Sequence, residues 1–253
     1  MYRKKNVKTV RAIRRCTSRH RFFAILFLAL GETVFLEKIV AQDIAPPNTP
    51  TPIVTIVDGV ELSIYPFGSV VKNRLWKNKT IAVCWENIDA VEEQIRRISE
   101  AAVNSTWAHH SALSFPGWGP CAVGQSGVRI KIADELPHVR TVGRYLNRKP
   151  GGVILNFDFD KWRPECSDSP ELKLRCIKAM VVHEFGHVIG FAHEHIRSDA
   201  PSECKAEKRG TRGTWNVTEY DRKSVMNYCN ANWLGDGNLS PRDISAVQTV
   251  YGT

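Results

Sequence analysis

No apolar run in this 253-residue chain approaches the roughly 20 residues that a membrane-spanning helix needs. The longest, FFAILFLAL at 22–30, has nine. No two of the seven cysteines stand at C-x-x-C spacing, which argues against a thiolate zinc cluster. No internal repeat is visible. The body of the chain also lacks an excess of either charge. The formal net charge of +9 gathers at the start, where residues 1–41 hold ten Lys and Arg against two acids; residues 42–253 hold 25 against 24. A nearly neutral body has no electrostatic footprint for nucleic acid, so no nucleic-acid partner is expected.

The basic head has a role of its own. MYRKKNVKTVRAIRRCTSRHR running into FFAILFLAL has the charged and apolar regions of an export signal, with a cleavage point after Ala41 in KIVAQ. We read 1–41 as that signal, 42–75 as a Pro-rich linker or short pro-segment, and 76–253 as one domain. Within the second stretch, IVTIVDGVELSIYPFGSVV could form a small hairpin. Loss of the signal removes Cys16 and leaves six cysteines, an even number that implies disulfides in an exported domain. Six cysteines allow fifteen connectivities. The working arrangement pairs Cys84 with Cys121, Cys166 with Cys176 across a short loop, and Cys204 with Cys229. The expected location is secreted or extracytoplasmic, with no membrane contact in the mature form unless the signal stays uncut.

Periodicity supplies the elements. KTIAVCWEN and GVRIKIAD alternate as strands do, and GGVILNFDF follows a turn at NRKPGG as a third strand. That third strand could be interior, or it could offer an unpaired edge to an extended peptide. IDAVEEQIRRISEAAVNSTWAHH places Val91, Ile95, Ile98 and Ala102 on one helical face. LKLRCIKAMVVHEFGHVIG is largely apolar and reads as a buried helix. SPRDISAVQTVYG opens with Ser240 as a cap and Pro241 at the first helical position. The fold class is therefore α+β.

Half of the eight histidines fall in HEFGHVIGFAHEH, residues 183–195. His183 and His187 are four apart on the buried helix, so both rings leave one face and can reach a single ion about 2.0–2.1 Å from each nitrogen. Gly190 can stop the helix and reverse the chain, bringing His193 back as a third ligand. Three neutral nitrogens with one position left open match a catalytic zinc better than a closed structural one. The HExxH pattern alone arises by chance in about one chain in a hundred of this size, and the added Gly and His lower that several hundredfold or more. His195 reads as a surface residue, because three nitrogens already suffice. His109, His110 and His138 read as solvated.

The stretch HEFGHVIGFAHEH resembles the HExxHxxGxxH motif of the metzincin zinc peptidases, and SVMNY at 224–228 looks like their Met-turn. GFAHEHIRSD and YDRKSVMNY are similar to two signatures of the astacin subfamily, and VGRYLNRKPGG is similar to its stretch before the edge strand. Asn227 stands where that family usually has His, and His195 where it usually has Gln. The resemblance covers roughly 76–253. It implies a metzincin-like fold, with a twisted mixed sheet and a buried active-site helix, and one catalytic Zn2+. His183, His187 and His193 would be the ligands, Glu184 the general base, Met226 the residue beneath the metal and Tyr228 the tyrosine that approaches it. By the same likeness Glu194 would pair with the new amino terminus; a plain helix-end carboxylate is the alternative.

The implied activity is that of a secreted zinc endopeptidase acting on protein or peptide substrates, with the segment from Asn230 to Gly235 shaping the substrate pocket. The alternative is an inactive protein of the same fold that binds proteins or peptides. Every chemical residue of the motif is present, which favours the enzyme.

Overall fold

The computed structural model describes residues 53–57, 60–64, 69–206 and 212–253. The export segment expected over 1–41 and the polar, Pro-rich stretch after it lie outside them. Strands β1 (Ile53–Val57) and β2 (Val60–Ile64) form the anticipated hairpin, with Ile53 opposite Ile64. Strand β3 (Ser69–Val70) follows, and then the alternation of sheet and helix that builds the core.

The main sheet contains β4 (Val83–Trp85), β5 (Gly117–Pro120), β6 (Val128–Ile132), β7 (His138–Val139) and β8 (Val153–Leu155). Their order is β5-β4-β6-β8-β7. β4 runs parallel to β5 and β6, and β6 parallel to β8; β7 alone is antiparallel, on the edge. All three residues of β8 are buried, as befits a strand covered on both faces. Of the two readings of this strand, interior or open edge, the interior one holds. Val139 and His138 pair with Val153 and Ile154 on its outer side, so the free edge belongs to β7. β5, with the sequence GWGP, escaped the periodicity reading because Gly and Pro are poor strand formers.

Helix α1 (Glu93–Val103) carries Ile95, Ile98 and Ala102 toward the core, the face its spacing predicts. It widens into a π turn over Asn104–Ala108. The wider turn buries Thr106 and Trp107, and the Trp107 indole N–H donates to the Val182 carbonyl, 2.8 Å away. α2 (Pro170–Val188) starts where Ser169 accepts the Leu172 N–H and Pro170 takes the first helical position. Its second half, from Cys176 on, is buried apart from Lys178. Its Phe185 joins Trp85, Trp107 and Phe159 among the fully buried aromatics of the core, and Trp118 stacks on Phe185 at 5.4 Å. β9 (Trp215–Asn216) pairs with β3, and α3 (Pro241–Tyr251) opens on a capping box in which Ser240 and Asp243 satisfy each other's backbone N–H. Among the described residues no helix is long and apolar enough to cross a membrane.

The three disulfides join Cys84 to Cys121, Cys166 to Cys176 and Cys204 to Cys229, the arrangement anticipated. Trp107 ties the π turn after α1 to the buried half of α2. Its replacement by Ala is expected to cost about 3–5 kcal/mol, as for other large-to-small changes in a packed core. A urea-unfolding midpoint within error of the parent's would contradict that.

Candidate metal centre

α2 has 3.6 residues per turn, so His183 and His187 stack one turn apart on the same face. Their ring centroids are 4.9 Å apart. The helix ends at Gly190, whose φ of +97° lies in a region that side-chain-bearing residues rarely adopt. A Cβ there would also press on the Leu75 side chain. Beyond the bend, Phe191 bridges to Val70 of β3, Ala192 donates to Ser69 and the Gly190 carbonyl accepts from Val71. That short extended segment turns His193 back toward the helix. Its Nε2 lies 3.2 Å from the Nε2 of His183 and 3.2 Å from that of His187. Among the described residues, these three form a group able to hold a metal ion.

Hydrogen bonding decides what the nitrogens present. His183 Nδ1 lies 2.7 Å from the Val225 carbonyl, and His187 Nδ1 lies 2.8 Å from that of Phe191. A carbonyl only accepts, so each Nδ1 carries the proton and each neutral ring leaves Nε2 with a bare lone pair. Burial keeps the rings neutral, lowering the pKa of His183 to about 3 and of His187 to about 4. His193 is lowered as well, first by burial and then by its two neighbours. Its Nε2 could donate to one partner but not both. A cation satisfies all three lone pairs at once, and imidazole donors suit zinc. The residues fit the metal that the motif implies.

The glutamate between the histidines is buried, and its Oε2 has no hydrogen-bond partner among the described residues. Burial pushes its pKa up to about 8. Such a carboxylate in a cleft is a stronger base than one in water. Tyr228 is 45 % exposed at the mouth of the site, with its ring 5.3 Å from His183 and 4.7 Å from His193. Both line a cleft of about 570 Å3 that also takes in Trp162, Trp233 and Leu234.

Below the histidines runs the loop 220–228. Met226 is buried against α2, and Gly186 faces its thioether; a Cβ at 186 would overlap that sulfur. Asn227 ties the loop together, donating to the Asp221 carbonyl and the Tyr220 hydroxyl and accepting from the Cys229 N–H. Glu194 is buried and ion-paired with Arg197 at 3.1 Å, while its Oε1 accepts the Asp221 N–H. It is therefore more than a helix-end carboxylate, and the amino-terminal partner considered for it lies outside the described residues. Burial raises its pKa, with Arg197 pulling the other way.

One histidine departs from expectation. His195, read as a surface residue, is fully buried because Tyr228 stacks on its ring at 4.7 Å and the Tyr228 N–H points at its Nδ1. It is not part of the group whose ligand atoms converge. His138, read as solvated, stands partly exposed on the cleft rim with its Nδ1 2.8 Å from the Leu136 carbonyl. Trp162 and the Leu136–His138 rim were not anticipated; no local pattern marks a residue that only tertiary packing brings to the site.

Among solved structures, the chain aligns with myroilysin at a TM-score of 0.53 and 17% identity, over 74% of this chain and 99% of that one. High choriolytic enzyme 1 (HCE-1), a hatching-enzyme zinc protease from Oryzias latipes (medaka), aligns at a TM-score of 0.45 and 16% identity, covering 73% and 94% of the two chains. No protein-family model and no curated protein matches the sequence. The likeness is one of fold: the mixed α+β architecture is the one that the resemblance to the astacin-like metzincins implies.

Because burial holds the ligand pKa values of His183 and His187 near 3 and 4, protons should compete for them only in that range, well below the 6.5 of an ordinary imidazole. Zinc occupancy, read by elemental analysis after dialysis, is expected to survive at about pH 5 and fall towards pH 4. Loss of half the metal by about pH 6 would contradict the assignment.

Proposed function

We propose that the chain is an exported zinc-dependent endopeptidase. The observation that carries this reading is the convergence of three imidazole nitrogens beside a buried carboxylate whose Oε2 has no hydrogen-bond partner among the described residues, at the edge of a cleft. His183, His187 and His193 would hold the ion. When bound, zinc would supply Lewis acidity, polarising the scissile carbonyl and making water a stronger acid.

The protein's own residues do the rest. Glu184 takes a proton from the attacking water onto its carboxylate as the water oxygen bonds to the carbonyl carbon. It then delivers that proton to the amide nitrogen as the carbon–nitrogen bond breaks. The buried setting that raises its pKa suits both halves of this exchange. The Tyr228 hydroxyl donates to the oxygen that gains negative charge. Gly190 and Met226 act indirectly, one by turning the chain that carries His193 and the other by filling the space under α2.

The unit that performs this chemistry takes in Ser69–Leu75 as well as 76–253, since that segment braces the Gly190 bend. Three disulfides support an extracytoplasmic location, and residues 1–41 would be the signal that directs the chain there. Intact mass of the exported protein should show a chain that begins after Ala41; a full-length mass would replace export by anchoring.

Glu184→Gln tests the mechanism. The variant is expected to keep zinc at the parent's stoichiometry and lose about 10²–10⁴-fold in peptide turnover. Turnover at the parent's rate would remove Glu184 from the reaction. A parent protein that binds zinc and peptides without cutting them would instead make the fold a binding module.

A further inference from the structure

One wall of the cleft is built from side chains that the proposed chemistry does not use. Met180 lies three residues before His183 and four before Glu184, so the helix itself sets an apolar floor next to the reacting groups. Trp162 and Trp233 stand edge to face at 5.5 Å, and Leu234 is buried beside them. Trp162 is backed by the fully buried Phe159, stacked at 6.0 Å, which fixes the wall from behind. At the rim, the Arg163 guanidinium sits 4.3 Å from the Trp233 ring centre, and its Nε donates to Glu165 Oε1 at 2.8 Å. The cation is thus occupied twice, by a ring and by a carboxylate.

We infer that this wall is the specificity pocket of the cleft, and that it selects a large apolar side chain, aromatic or of leucine or methionine size, on a substrate residue flanking the cut bond. The proposal rests on the peptidase reading. Two indoles and a thioether offer a bulky apolar group broad contact and offer a charged group no partner. An acidic side chain meets an arginine already paired with Glu165, and a basic one meets a carboxylate already paired with that arginine. A methyl group leaves most of the wall wet.

The test uses the zinc-loaded protein and a peptide series that differs only at the two residues flanking the cut, carrying Phe, Leu, Ala, Asp or Lys. At one of those positions kcat/KM for Phe or Leu is expected to exceed that for Ala by at least about 10-fold, the range that apolar pockets achieve. Trp233→Ala should shrink that ratio to about threefold or less while zinc content holds. Glu165→Gln, an exposed change, frees Arg163 and should raise cleavage of the Asp peptide about two- to fivefold, the scale of a surface ion pair. A flat profile in the parent, or an unchanged ratio in a folded Trp233→Ala protein, overturns the inference. An unmoved Asp peptide in Glu165→Gln overturns the neutralised rim.

If no peptide is cut, the peptidase reading fails separately. Fluorescence polarisation of the same labelled peptides with the zinc-loaded parent then decides the pocket: tighter binding of Phe and Leu over Ala sustains it, and equal binding removes it.

Discussion

Two carbonyl oxygens decide the character of the centre. Val225 and Phe191 each take the Nδ1 proton of a histidine on α2, and with that proton placed the opposite nitrogen has nothing left but a lone pair. The rings cannot turn away without breaking those bonds in a buried site, where an unmade hydrogen bond costs about 1–3 kcal/mol. The donors are therefore set before any ion arrives. One carbonyl comes from the loop under the helix and the other from the strand after the bend, so both neighbours must be in place for the site to exist.

That dependence explains the number of buried polar groups around the loop 220–228. Asp243 caps α3 and also accepts from the Ser224 hydroxyl and the Val225 N–H, which orients the very carbonyl that faces His183. Glu194 joins the strand carrying His193 to the start of the loop through the Asp221 N–H, and its own N–H donates to the Met226 carbonyl. Buried ionic groups such as Glu194 and Arg197 are weak contributors to net stability, because desolvation offsets their attraction. Their effect here is to permit one arrangement of helix, strand and loop and to make the others costly.

Local signals carried the sequence reading where the chemistry is local. The helix cap at Ser240, the four-residue spacing of His183 and His187, and the bend at Gly190 all follow from short-range geometry, and each stands in the structure where the residues implied. The disulfide pairs also matched, although spacing alone left fifteen choices open. Readings that depended on distant partners fared worse. β8 lost its edge because the two residues of β7 return beside it, and such a short strand leaves no periodicity to read. His195 is covered by a tyrosine 33 positions away, and Trp162 meets Trp233, far along the chain, in the cleft wall.

Gly186 has no side chain, and helix propensity alone would count it as a mild defect in α2. Its neighbour makes it the reverse. The thioether of Met226 occupies the volume where any larger residue's first carbon would stand. Alanine, the best helix former, would push its methyl into that thioether within the buried layer beneath the histidines. At this position secondary-structure preference and the packing beneath the metal centre are opposed.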